Sequence, residues 1–475
     1  EDINQNGVLD AGEDVDGDGK LDAHEDSDND GVFDRGNIWG PDGHSYHDLI
    51  TFYEQETNTL TFRPVYPLEE RTTYAVVITK DLVNEDGKSI VSPFDYVHHL
   101  QQKAALKPIF EDGLLTPYGR NTDDVAFAWT FTTQSVTNDL VRIREGLRGY
   151  GPLAHLHSDY PDEILSLEKM NSLSGVAAYH LTPEKLVGAI RVLFDNLEIA
   201  NYESSRINEL VDTYGAVDYM VAGDYRSVDF LDAGGGSFQM EAEQGIATTE
   251  ESSLRFIMVV PKKEYAQNGK PFPVAFYCHG HTSLKVEALA FAGVLAKFGI
   301  ATFAIDAPGH GIPIGGPYDV IVEGLLAQLA GDDLIPFYNA LKKDRAKDLN
   351  NDSIYEPGGD FFTNDSFHTR DIVRQTNVDY VQAARTLQAF DGVKTWSIDL
   401  NGDGIANDIA GDFDGDGQVD LGGTDVDYFA LGTSMGGINS SILATIEPTV
   451  VAAAPMAPGG SLLEVGMRTE LGNVV

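Results

Sequence analysis

The sequence predicts a multidomain chain: an acidic loop array, an all-β module, a helical stretch, and a C-terminal α/β domain on a mostly parallel sheet. Three observations carry this reading. A twelve-residue period fills residues 1–37, short β-branched and aromatic runs fill 46–133, and from about 215 apolar runs alternate with helical patterns. At 475 residues the chain exceeds one ordinary domain, and with 42 % hydrophobic residues it can bury several cores. Its formal charge of −43 repels phosphate backbones and anionic membrane surfaces, so nucleic acid is not an expected partner. The single cysteine, Cys278, excludes an internal disulfide, and no apolar run is long enough to span a bilayer. The chain opens on Glu1-Asp2, inside a motif, and reads as a processed product or a fragment.

The array consists of three abutting units that open at Asp2, Asp14 and Asp26. The first sets Asp2, Asn4 and Asn6 at alternate positions, turns at Gly7, and continues to Asp10 and Glu13. Asp14, Asp16, Asp18, Asp22 and Glu25 repeat the pattern around Gly19. Asp26, Asp28, Asp30 and Asp34 repeat it again around Gly31, with Asn37 where the closing Glu would stand. Alternating carboxylates around a Gly turn supply the six to eight oxygens that Ca²⁺ takes, whereas Mg²⁺ resists such dehydration. The expected cofactor is Ca²⁺. The units resemble thrombospondin type 3 repeats and EF-hand-like loops, without room for the flanking helices of an EF-hand pair. Three further loops in the α/β region carry related patterns. They are Asp348, Asn350, Asp352, Glu356 and Asp360; Asp399, Asn401, Asp403 and Asp408; and Asp412, Asp414, Asp416 and Asp420.

Residues 38–136 read as the β module, with strands expected at 49–53, 59–63, 74–79 and 125–133. The run LEERTTYAVVITKDLVNEDGKSI resembles bacterial Ig-like modules, which implies a β-sandwich spacer. Residues 137–214 read as a helical linker, with Asn138 and Thr182 as candidate caps. From 215 to 475, strands are expected at 216–222, 254–260, 274–278, 300–305, 428–432 and 450–455. Their alternation with helices implies a mostly parallel sheet covered on both faces, interrupted by the acidic insertion 344–426.

Gly432-Thr433-Ser434-Met435-Gly436 follows one of these strands and precedes a helical pattern, the context of a nucleophile elbow. His279-Gly280-His281 and Asp306-Ala307-Pro308-Gly309-His310-Gly311 end two others, at the carboxyl edge where open α/β sheets bind ligands. Over 215–475 these residues resemble the α/β-hydrolase superfamily, and in particular secreted bacterial esterases and lipases. The resemblance implies Ser434 as nucleophile, with the backbone N–H of Met435 and one near His281 holding the oxyanion. His279 and His310 read as turn residues, and Cys278 as a small buried hydrophobe.

The chain departs from the family after the elbow. Of the 41 residues that follow Ser434 (475 − 434), none is His, and the carboxylates are Glu447, Glu464 and Glu470. The α/β-hydrolase sheet is therefore expected to be C-terminally incomplete here, with the catalytic acid and His beyond Val475. Two functions follow. One is a secreted, Ca²⁺-stabilised serine carboxylesterase or lipase that acts on ester or lipid substrates through an acyl-serine, inactive as this chain alone. The other is a non-catalytic extracellular or cell-surface structural protein on a hydrolase scaffold, with assembly partners there.

Overall fold

The structure is a computed structural model that describes residues 49–54, 57, 59–64, 68–92, 94, 99–168, 177–180, 204–312, 324, 334–400, 403–460 and 462. The twelve-residue array from Asp2 to Asp34 lies outside these residues, as do Asn401, Thr182 with the helical pattern after it, Glu464 and Glu470. The described residues form two compact units that divide between Val136 and Thr137.

The first unit holds two separate antiparallel pairs. Strand β1 (Leu49–Glu54) pairs with β2 (Thr59–Pro64), and β3 (Thr73–Thr79) with β4 (Val125–Thr132). Cross-strand neighbours support the second pair: Tyr74 stacks on Phe131 at 6.0 Å, and the Thr73 and Thr132 hydroxyls lie 2.8 Å apart. The expectation of an all-β stretch is corrected here, because helices Leu100–Ala105 and Lys107–Phe110 intervene. The first is built of Leu, Gln, Lys and Ala, good helix formers, and Pro108 suits the first turn of the second. Gln102 fastens the first helix to β4, donating to the Thr130 carbonyl at 2.7 Å and accepting the Thr130 N–H at 2.8 Å.

The second unit is built on one seven-stranded sheet. Its strands are β5 (Ile164–Leu167), β6 (Val217–Asp229), β9 (Glu250–Pro261), β10 (Val274–Cys278), β11 (Ala301–Ile305), β12 (Tyr428–Thr433) and β13 (Val450–Met456). A small hairpin, β7 (Met240–Glu241) with β8 (Ile246–Ala247), stands apart. Across the sheet the order is β13-β12-β10-β11-β9-β6-β5. Strands β11, β10, β12 and β13 run parallel, while β9, β6 and β5 add on antiparallel. The six strands expected from 215 onward are all present. The segment read as a helical linker contributes the edge strand β5 and a packed helix, Asn138–Leu147, whose N-cap is Thr137 rather than Asn138.

Both faces of the sheet are covered at its centre, as the apolar strands there require; the expected cover fails at the edge strand β13, where Val451–Pro455 are exposed. Phe256, Met258 and Val260 of β9 join one core, with helices Asn138–Leu147, Ser366–Gln388 and Met435–Ile446. Ile257 and Val259 face the other, with Ala292 and Ala296 of helix Leu289–Lys297. An aromatic row crosses the first core: Phe256 stacks on Phe303 at 5.2 Å, Phe303 meets Phe276 edge-on at 5.8 Å, and Phe276 stacks on Tyr428 at 5.9 Å. Strand order reverses at β10: the chain moves to β11 on one side, then returns through helix Ser366–Gln388 to β12 on the other. Crevices for ligands open at the carboxyl ends of strands at such a switch point. This is an α/β domain on a mixed sheet with a parallel half and an antiparallel half. Among the described residues no helix is long and apolar enough to cross a membrane.

Candidate active site and acidic loops

Ser434 sits between the end of β12 and the first residue of helix Met435–Ile446, with φ 59° and ψ −117°. A non-glycine residue held there is strained, and strain persists only where its surroundings enforce it. Those surroundings are close backbone. Pairing of Cys278 with Gly432 brings β10 and β12 together, and the Ser434 N–H donates to the Met456 carbonyl of β13 at 2.9 Å. A Cβ on Gly436 would lie 2.6 Å from the Cys278 carbonyl carbon and 2.8 Å from the His279 oxygen, so only glycine fits. The seryl residue is exposed, and its hydroxyl does not cap the helix. Met435 opens that helix, so its N–H has no intrahelical acceptor and points outward with the positive end of the helix dipole.

The β10 turn lies alongside. A Cβ on Gly280 would be 3.9 Å from Ser434 Cβ. The Gly280 N–H is already engaged, donating to Glu287 at 3.1 Å, and Glu287 also accepts the Ser283 hydroxyl at 2.9 Å. That clamp leaves the His281 N–H as the turn's candidate oxyanion donor. The His281 ring turns toward His310, Phe361 and Phe362, with centroids 5.6, 5.1 and 5.4 Å away, and its buried Nδ1 has no partner among the described residues.

His279 has no free nitrogen. Its Nε2 accepts the Ala307 N–H at 2.9 Å, which places the ring proton on Nδ1, donating to the Gly280 carbonyl at 2.8 Å. Burial lowers its pKa and keeps it neutral. His310 donates from Nδ1 to the Pro308 carbonyl at 2.9 Å, and burial pushes its pKa down to about 3. Asp306, which opens the same turn, is buried against Lys285: its carboxylate takes the Lys285 N–H at 2.6 Å and the ammonium at 2.5 Å. Cys278 is a buried thiol, its pKa pushed up to about 12 by burial. Among the described residues no imidazole is hydrogen-bonded to Ser434. Glu447 is fully buried and bound by both oxygens to Arg148 at 3.0 Å. It lies at the far end of helix Met435–Ile446, about 18 Å from the elbow at 1.5 Å per residue. Glu287 and the Lys285–Asp306 pair escaped the sequence reading, because nothing in their spacing announces a contact across the turn.

The acidic loops flank the crossover helix. Asp348, Asp352 and Glu356 gather oxygens within 4.8 Å of one another, as do Asp412, Asp414 and Asp420. In the first loop Asp348 accepts the Ser353 N–H at 2.9 Å and Asn350 that of Asp352 at 2.8 Å; among the described residues no lysine or arginine pairs with Asp348, Asp352 or Glu356. Such an oxygen set fits a hard divalent ion. Asp360, the last candidate ligand of this loop, takes the Lys347 ammonium at 3.1 Å. In the loop between, Asp399 accepts the Gly404 N–H, Asp403 that of Ile405 and Asp408 that of Leu400. Asp416 belongs to the last loop through Lys270, 3.0 Å away.

No protein-family model matches the chain, and no curated protein does. Among solved structures it is similar to a cold-adapted esterase from an Arctic intertidal metagenomic library, at 14 % identity and TM-score 0.23, covering 49 % of this chain and 59 % of that one. It is also similar to the rice cell wall degrading esterase LipA from Xanthomonas oryzae, at 11 % identity and TM-score 0.27, covering 62 % and 50 %. A third is acetyl xylan esterase 1 from Thermoanaerobacterium, at 11 % identity and TM-score 0.24, covering 62 % and 65 %. The chain thus spans 59 % and 50 % of the first two.

Proposed function

We propose that this chain is the nucleophile-bearing part of a secreted, Ca²⁺-stabilised serine carboxylic-ester hydrolase. Ser434 attacks the ester carbonyl, and the Met435 and His281 N–H groups receive the oxyanion. A general base takes the Ser434 proton during attack and passes it to the departing alkoxide, which leaves as the alcohol while the acyl-serine forms. Water that gives its proton to the same base then releases the acid, and that proton restores the serine hydroxyl. The observation that carries this reading is the strained, exposed Ser434 at the head of a helix beside the β10 turn. The general base and its acid are assigned outside the described residues, because among those no imidazole is hydrogen-bonded to Ser434, both nitrogens of His279 are engaged and Glu447 is bound by Arg148. Asp348, Asn350, Asp352 and Glu356 hold Ca²⁺, which supplies charge neutralisation and fixes the approach to the crossover helix. The repeated units of residues 1–37 bind Ca²⁺ likewise and suit an extracellular or cell-surface location.

Hydrolysis of p-nitrophenyl acetate by the full product of the gene tests this, with Ser434→Ala beside it. Ser434-dependent turnover is expected. Turnover that survives Ser434→Ala would place the chemistry elsewhere. The second reading, a structural protein on a hydrolase scaffold, is favoured by the lack of an imidazole on Ser434 among the described residues, and an inert full product would support it.

A further inference from the structure

The Asp412–Asp420 loop follows the acidic formula, but its centre holds a side chain from another part of the chain. Lys270 stands in the turn that leads into β10. Its ammonium lies 2.9 Å from Asp414 Oδ2 and 3.0 Å from Asp416 Oδ2, and it also hydrogen-bonds Asp420 Oδ1. These are three of the carboxylates on which a divalent ion in such a loop relies. The other, Asp412, is turned to the backbone and accepts the N–H groups of Gly415, Asp416 and Gly417 at 2.7, 3.2 and 2.8 Å. An ammonium has three donors, and here each meets a carboxylate. The Lys270 side chain is 9 % exposed and that of Asp420 0 %, so neither charge can turn to water without leaving the other buried alone. The Asp348 loop has no counterpart to this lysine among the described residues.

We propose that Lys270 is the resident cation of the Asp412–Asp420 loop, which therefore closes without metal and admits a divalent ion only if the ammonium leaves. A calcium assignment from the acidic formula fails at this loop, since the same oxygens cannot serve two cations at once. The latch has structural reach. Next to it the Phe272 N–H donates to the Asp420 carbonyl at 2.8 Å, and Val274 donates to Asp427 at 3.1 Å. Lys270 thereby ties the entry of β10 to the entry of β12, the strands that end at His279 and Ser434. The proposal does not depend on the esterase reading, because it concerns the ends of those strands remote from the elbow.

Hydrogen exchange of the Gly415, Asp416 and Gly417 amides in the whole chain, in chelator and in excess Ca²⁺, tests it. In the wild type their exchange should agree between the two conditions within about twofold. In Lys270→Met it should be about tenfold faster in chelator and slow again by a similar factor in Ca²⁺, with one added ion by calorimetry. Adding Asp420→Asn should abolish that gain. Wild-type exchange slowed about tenfold by Ca²⁺ would overturn the proposal, because a metal would then be the resident cation. So would Lys270→Met exchange in chelator that matches the wild type. The wild-type comparison decides by itself if Lys270→Met does not fold.

Discussion

Replacing Gly436 with alanine should break the elbow without touching the nucleophile. The new methyl would lie 2.6 Å from the Cys278 carbonyl carbon and 2.8 Å from the His279 oxygen, and closer still to the Cys278 oxygen. All three are backbone atoms, so no side chain can rotate away. Ordinary contact demands that the head of helix Met435–Ile446 move from β10 by about 1 Å, in an interior packed too tightly to yield. That motion loosens Met435, Asn439, Ser440 and Leu443, which the helix buries. Overpacking typically costs 1–3 kcal/mol, and with rigid backbone on both sides we expect about 3–5 kcal/mol. Gly215→Ala is the control: it is exposed, nothing lies within 4 Å of its added Cβ, and it should cost less than about 0.5 kcal/mol. Urea unfolding followed by near-ultraviolet circular dichroism reads both. Equal midpoints for the two variants would refute the claim that close backbone enforces the turn.

Three other outcomes are expected. Lys285→Met leaves the Asp306 carboxylate buried and unpaired and should destabilise by about 3–5 kcal/mol. Adding Asp306→Asn should recover part of that loss in denaturant unfolding, whereas additive costs would deny the coupling. His310 stays neutral when folded, so the unfolded chain takes its proton near pH 6.5 and the folded one only near pH 3. Its contribution is full above pH 6.5 and falls as the pH drops toward 3, by up to about 5 kcal/mol. His310→Gln should flatten that part of the stability profile, and an unchanged slope would show that the ring titrates normally. Asp352→Asn should weaken Ca²⁺ binding at the Asp348 loop about tenfold or more in calorimetry, since one charged ligand is lost; an unchanged isotherm would remove the ion from that loop.

Hydrophobic pattern made the central sheet legible, because strands buried on both faces read as apolar runs. The tight turn from β12 into the helix at Ser434 was legible too, since its Gly and Ser spacing reflects a local steric demand. Pattern failed where polar residues pair inside the sheet. Strand β6 continues past Ala222 through Asp224 and Arg226, and there Arg255 meets Asp224 at 3.0 Å and Glu163 meets Arg226 at 2.9 Å. Those ion pairs substitute for apolar contacts that a hydropathy reading looks for. The short strand β5 and the helices after Leu100 carried too few residues for a period to show. Lys270 was invisible for another reason: it joins the acidic loop from 144 positions away, and spacing cannot reveal a contact that only the sheet brings about.

Covalent labelling of Ser434 tests the central claim most directly. An alkyl fluorophosphonate needs a nucleophilic serine beside donors for its phosphoryl oxygen, the arrangement proposed for Ser434, Met435 and His281. Mass spectrometry after treatment of the full gene product should place one phosphonyl adduct on Ser434, lost in Ser434→Ala and in Gly436→Ala. An unlabelled Ser434, or an adduct on another serine at an equal rate, would contradict the account.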